Sequence, residues 1–296
     1  MLAVAAGDGV GIFDPASGAE LAALALPALP RTVFAAFTPT CDALYAGALR
    51  DRAGGGEGGL TRWLLVRDAG GIVIRRREPA AVPDSYGRFA LGPRGVLAAS
   101  TGEPALLMVL GPAGVPVRLE KSYGFSVPAL NPDGALVAAG RWNPALAKGT
   151  DGVGVWETTR GKLLHTLPTA TSAGAAFSPD GKWIVTAERG VIRQWRADGT
   201  AAGWSQHKDD GVRVRGGIEW SGACIAVITA PTRASLLDAE SGAVLAHFDA
   251  PGSPTIMALA LSADAAQLAI ACASGEVFVW DLRVLMQPPV RIGATT

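Results

Sequence analysis

Short alternating apolar segments recur along the chain on either side of one turn phrase. Phe177-Ser178-Pro179-Asp180-Gly181 is echoed by Leu130-Asn131-Pro132-Asp133-Gly134, Leu91-Gly92-Pro93-Arg94-Gly95 and Phe37-Thr38-Pro39. Degenerate copies stand at Trp220-Ser221-Gly222 and Leu261-Ser262-Ala263-Asp264. Pro presets φ and Gly accepts a positive φ, so each phrase predicts a tight hairpin between two strands, a and b.

A second phrase closes each following strand, c, with an apolar or aromatic anchor and a Gly-containing turn. Examples are Phe13 to Gly18, Trp156 to Gly161 and Leu237 to Gly242; shorter forms run Val66 to Gly70, Leu110 to Gly114 and Trp195 to Gly199, and the seventh anchor is Trp280. Subtracting successive anchors (13, 66, 110, 156, 195, 237, 280) gives 53, 44, 46, 39, 42 and 43. These intervals match the roughly 40 to 45 residues of a four-stranded propeller blade, with Arg50 to Leu60 lengthening the first. The expected fold is all-β: a seven-bladed β-propeller of four-stranded antiparallel blades, one domain over residues 1–296.

These phrases resemble the WD40-repeat family, best over Val153 to Trp195 and Gln267 to Asp281. Trp280-Asp281 is the literal pair of that name; Trp156-Glu157, Trp195-Arg196 and Phe13-Asp14 are variants. No Gly-His dipeptide occurs, and of the family's Asp, His, Ser/Thr and Trp network only scattered members remain, such as Asp8 and Asp151. Blade identity should therefore rest mostly on apolar packing. The resemblance implies a protein or peptide interaction scaffold.

Composition narrows the partners. Lys plus Arg and Asp plus Glu are 26 each, so no net field draws the chain to nucleic acid or an anionic membrane. Arg75-Arg76-Arg77 reads as charge on an outer strand that discourages edge pairing. Thr255 to Trp280, the most apolar stretch, is interrupted by Asp264, Gln267 and Glu276 and belongs to the repeat, so no membrane span is expected. Cys41, Cys224 and Cys272 are odd in number and widely spaced, predicting reduced thiols rather than disulfides or zinc. The amino-terminal residues lack a basic segment ahead of a long apolar run, so a cytoplasmic location is expected. A monomer is expected as well.

Catalytic signatures are weak. Gly7-Asp8-Gly9-Val10-Gly11 and Gly152-Val153-Gly154 do not open a helix after a strand, and Gly161-Lys162 and Gly181-Lys182 lack the Ser or Thr and the upstream Gly of a phosphate loop. His165 and His247 fall on outer strands and His207 in a loop, on different blades. There is no GxSxG elbow. By the family resemblance a propeller enzyme works in the channel lined by the a strands, and here those strands are Ala, Gly and apolar residues apart from Arg88, Arg215 and Glu219. No catalytic function, metal or cofactor is expected.

In an up-and-down blade the a-to-b and c-to-d turns lie at one end, and the b-to-c and d-to-a loops at the other. The second set holds the long and aromatic insertions: 50–60, 77–87 with Tyr86, 120–125 with Tyr123, 141–151 with Trp142 and 204–213 with Trp204 and His207. Aromatic and Arg residues on loops over a rigid frame suit a binding face, so Tyr86, Tyr123, Trp142, Trp204 and His207 are the candidate contacts. A competing role for Trp142 and Trp204 is to plug gaps between blades. Two other functions share this face: a small-ligand-binding or hydrolytic propeller, and the sensor domain of a signalling protein.

The chain begins directly in a b strand, Leu2 to Ala6, so one inner strand is missing. The expectation is that Val284 to Met286 forms the outer strand of blade seven. Val290 to Thr295 then fills the gap beside Leu2 to Ala6, joining both ends in one blade.

Overall fold

The structure is a computed structural model and describes all residues except 7–8, 26–33, 39, 49–58, 69–70, 80–85, 102–106, 112–114, 123–126, 142–151, 171–172, 208–216, 285–288 and 293–296. The turn chemistry acts as the sequence predicts. Gly134 and Gly181 in the Pro-Asp-Gly turns take φ of 74° and 71°, a left-handed backbone that glycine adopts without a Cβ penalty. Asn131 and Ser178 side chains accept the amides of Leu136 and Trp183, closing each hairpin.

Seven antiparallel sheets follow in chain order. Blade 1 holds β1 (Leu2–Ala6), β2 (Gly9–Phe13) and β3 (Glu20–Ala25). Blade 2 holds β4 (Phe34–Phe37), β5 (Ala43–Ala48), β6 (Gly59–Asp68) and β7 (Gly71–Pro79). Blade 3 holds β8 (Tyr86–Leu91), β9 (Leu97–Thr101), β10 (Leu107–Leu110) and β11 (Pro116–Arg118). Blade 4 holds β12 (Ala129–Leu130), β13 (Leu136–Gly140), β14 (Val153–Glu157) and β15 (Leu163–Leu167). Blade 5 holds β16 (Gly174–Phe177), β17 (Trp183–Glu188), β18 (Val191–Arg196) and β19 (Ala202–His207). Blade 6 holds β20 (Ile218–Ser221), β21 (Cys224–Ala230), β22 (Arg233–Asp238) and β23 (Val244–Asp249). Blade 7 holds β24 (Ile256–Leu261), β25 (Gln267–Cys272), β26 (Val277–Asp281) and β27 (Val290–Ile292). The repeat therefore yields a seven-bladed propeller, with blade 1 three-stranded among the described residues.

Strand register explains why each blade is a wedge of the same shape. In six blades a large apolar residue that ends the inner strand, or in blade 6 stands one before its end, pairs with an apolar b residue, which pairs with the c anchor. The triples are Phe37, Leu44, Trp63; Leu91, Leu97, Leu110; Leu130, Val137, Trp156; Phe177, Ile184, Trp195; Trp220, Ile225, Leu237; and Leu261, Leu268, Trp280. Blade 1 keeps only the pair Leu2 and Phe13. The anchor of blade 2 is thus Trp63, 3% exposed, and not Val66, which is 38% exposed. Anchor spacing becomes 63 − 13 = 50 and 110 − 63 = 47, more even than the sequence suggested.

Between c and d strands the register slips at Ile12/Phe13, Val155/Trp156, Arg193/Trp195 and Leu236/Leu237, at the anchor each time, and at Leu64/Leu65 in blade 2. A bulge there turns the outer strand away from the plane of its neighbours. Arg75 and Arg77 are exposed on the outer strand β7, as expected of an edge that carries charge.

Each blade interface has its own apolar cluster, and the seventh closes the ring. Phe13 of β2 packs with Ala269 of β25, Val277 and Val279 of β26, and Ile292 of β27, with Leu2 and Val4 against them. Here the expected closure is corrected. Val290 to Ile292 does not pair with Leu2–Ala6. It is the outer strand of blade 7, with Val277 opposite Ile292 and Val279 opposite Val290. The reason is burial. On β26 Val277 and Val279 need an apolar cover, and this register leaves Ile292 1% exposed, whereas Val284 is 42% exposed. The ends meet across a packed interface, where a Cβ on Gly18 of blade 1 would stand 3.1 Å from Val290 Cγ1.

Candidate functional site

The tight-turn end is chemically self-contained. Ser17, Ser178, Ser241, Ser262 and Thr200 hydroxyls donate to Asp14, Asp180, Asp238, Asp264 and Asp198, each at 2.6 Å. These hydroxyl hydrogen bonds, followed by backbone amides, hold all five carboxyls below the usual carboxylate range. The Arg283 side chain does the same to Asp281, lowering it to about 2. The acidic residues of the turn phrases are thus turn-forming groups.

By strand order, 49–58 and 141–152 connect b to c strands and 119–128 and 208–217 connect d to a strands, and most of these residues lie outside the described ones. Tyr123 and Trp142 lie outside the described residues. Tyr86 opens β8, its backbone opposite Thr101. Two candidates are displaced from the predicted loop. Trp204 and His207 both belong to β19, the outer strand of blade 5, because the polar alternation of Ala202–His207 pairs with Val191–Trp195. Exposed His207 ends that strand opposite Val191, where connection 208–217 begins.

Trp204 is half-buried, and its indole N–H donates to the Ala239 carbonyl of blade 6 at 3.0 Å, a carbonyl that also accepts Gln194 Nε2 at 2.9 Å. A Cβ on Gly242 would stand 2.5 Å from the indole ring, so this turn of blade 6 is shaped to the tryptophan. Trp204 therefore seals blades 5 and 6. It is not brought together with His207 or with the backbone of Tyr86.

A cleft that motif reading missed opens between the same two blades at the tight-turn end. It encloses about 530 Å³ and is lined among others by Trp183, Trp220, Asp180, Asp238 and Glu240. The guanidinium of Arg196 lies 5.4 Å from the Trp183 ring centre, so one cation already stacks there. Its signal in the sequence was a tryptophan bordering the turn phrase in each of two successive blades.

At the axis, Glu219 sits on the inner strand β20. Its side chain is exposed, but the surrounding ring displaces bulk water and burial pushes the carboxyl up to about 7. Arg88 lies on the backbone of β8, and Arg215 is outside the described residues. Among the described residues no group of three or more His, Cys, Asp or Glu converges as metal ligands. Cys41 is exposed, Cys224 half-buried and Cys272 buried, all as free thiols. Among the same residues no helix is long and apolar enough to cross a membrane.

Among the described residues, the Thr–Trp part of the family network is present in blade 5, where Trp195 Nε1 donates to Thr186 Oγ1 at 2.9 Å. That blade lies where the family comparison finds its match. Residues 161–196 match the family described as WD domain, G-beta repeat. The chain is also 33% identical, over 208 residues, to Centriole proteome protein 16 of Chlamydomonas reinhardtii; the aligned part covers 63% of this chain and spans 10% of the relative's length. Propellers with such repeats are generally non-catalytic scaffolds for protein partners. Seven sheets in ring order make this chain a seven-bladed β-propeller, and the stretch that matches a WD repeat ends in the blade that holds the Thr186–Trp195 bond.

Proposed function

We propose that the chain is a protein-interaction scaffold whose partner, a protein or peptide, binds the face built by the b-to-c and d-to-a connections. The inequality of the two ends carries this reading. Polar groups of the tight turns are spent on one another, as the five hydroxyl–carboxylate bonds illustrate. The b-to-c and d-to-a connections include the longest stretches between strands in the sequence, with Trp142 and Tyr123 among their residues and His207 bordering one of them. Rigid blades carrying variable loops suit recognition of a folded surface or an extended peptide. A relative named for a centriole proteome is in keeping with membership of a larger assembly. A cytoplasmic, monomeric propeller that takes no nucleic acid completes the proposal.

Affinity capture with the purified chain, read by mass spectrometry beside Trp142→Ala and Tyr123→Ala, tests it. The expected outcome is loss of the captured set with an unchanged melting temperature. Capture that survives both changes, or is lost on Glu240→Ala in the opposite cleft instead, would refute the loop-face assignment.

A further inference from the structure

The inner strands β4, β8, β12, β16, β20 and β24 touch in succession around the axis, and among the described residues β24 and β4 are not packed together in the same way. Blade 1 supplies no inner strand among the described residues. Its first strand, β1, pairs with β2 alone and packs beside β4, the position that b strands hold elsewhere.

Two of the three elements around this gap, β1 and β24, carry apolar surface that counterparts bury, while β4 is half-buried like β8 and β12. On β1, Leu2 is half-buried, whereas its equivalents Leu44, Val137, Ile184, Ile225 and Leu268 are 0% exposed. On β24, Met257 is 57% exposed and Ala258 and Ala260 are exposed, whereas β16 is buried throughout. On β4, Ala35 to Phe37 are half-buried. Val290–Ile292 is placed elsewhere: β27 lies at the rim of blade 7, three strands out from the inner position, about 14 Å at the usual strand spacing.

The other blades state what belongs in the gap. At the end of each inner strand, or one residue before it in blade 6, a large apolar residue stands opposite the b residue equivalent to Leu2. In five of six that residue follows an alanine: Ala36-Phe37, Ala90-Leu91, Ala129-Leu130, Ala176-Phe177 and Ala260-Leu261. By the register of Leu2 with Phe13 and of Ile184 with Trp195, Phe177 corresponds to a residue facing Leu2, and Ala176 to one facing Ala3.

We propose that blade 1 takes its fourth strand from a partner protein: an extended apolar segment, antiparallel to β1, with a small residue opposite Ala3 and Leu or Phe opposite Leu2. Main-chain hydrogen bonds to the open edge supply affinity, and the Leu2 layer supplies sequence preference. This site is separate from the loop face and does not depend on it.

The probe is a synthetic peptide of residues 173–180, the inner strand of blade 5, added to the whole chain. Saturable one-to-one binding is expected, with amide exchange of residues 2–6 slowed at least tenfold. N-methylation of the peptide at Ala175 and Ala176, or replacement of its Phe177 by Asp, is expected to weaken binding at least tenfold. No binding, or binding without protection of β1, overturns the proposal. So does a free chain in which residues 2–6 are already as protected as β5, because the chain then fills the edge itself.

Discussion

Removing most of one side chain, Ile292→Ala, tests how the ring closes. Ile292 is 1% exposed and lies in the cluster of Phe13, Ala269, Val277 and Val279 that joins blade 7 to blade 1. Truncating a buried isoleucine removes its transfer free energy and leaves a cavity, about 2 to 5 kcal/mol in all. The three-residue strand β27 can settle inward, which places the expected loss near the lower end, about 2.5 kcal/mol. With a urea dependence of about 3 kcal/mol per molar, the unfolding midpoint should fall by roughly 0.8 M. Hydrogen exchange locates the damage. Amides of Val277 to Asp281 should lose protection, because β26 loses its outer partner, while β5 and β17 keep theirs. A midpoint change below about 0.2 M would refute the packed seat of Ile292. Deprotection confined to Leu2–Ala6 would restore the rival closure, in which the tail pairs with β1.

Two further predictions concern single side chains. Trp204→Ala should cost about 2 to 3 kcal/mol by removing indole packing from the Gly242 turn and the bond to the Ala239 carbonyl, and Trp204→Phe about 1 kcal/mol; urea unfolding distinguishes this interblade role from a loop-face role, in which neither change moves the midpoint. Glu219→Gln should leave stability unchanged near pH 4, where the carboxyl is protonated folded and unfolded, and raise it near pH 8, where the native chain bears the cost of a carboxylate whose proton leaves only at about 7. Because water reaches the exposed side chain, the gain should be on the order of 1 kcal/mol; equal stability of both chains from pH 4 to 8 would refute it.

Blades were legible in the sequence because their turns are local chemistry: Pro-Asp-Gly and Asp-x-x-Ser-Gly phrases close on themselves over five or six residues. Partner choice was not legible. Val284 to Met286 and Val290 to Ile292 are both short apolar runs, and only the need to cover Val277 and Val279 selects the second. Val66 reads as an anchor in the sequence because it precedes the Gly70 turn, whereas the long strand β6 places Trp63 opposite Leu44. Trp204 and His207 read as loop residues because Ala202–His207 carries one large apolar side chain, Trp204, among Ala, Gly, Ser, Gln and His, too little to mark a strand by periodicity. The cleft between blades 5 and 6 needs two successive repeats side by side, a juxtaposition made by the ring and not by either segment.

The register slip at the anchors divides the propeller into two mechanical zones. Inside it, the inner, b and c residues of a blade are locked in one layer, and a one-residue shift would turn every core side chain outward. Outside it, the count has already been broken once, so an outer strand can slide, shorten or be supplied from far along the chain without disturbing that layer. Blade 7 reaches the same tolerance without a slip: β27, a three-residue rim strand after the long connection 282–289, pairs only with Val277–Val279, stops short of the anchor Trp280 and still seats Ile292 in the ring. The rim is the tolerant part of this molecule, the zone where a graft, an insertion or a change of surface charge meets the least resistance from the fold.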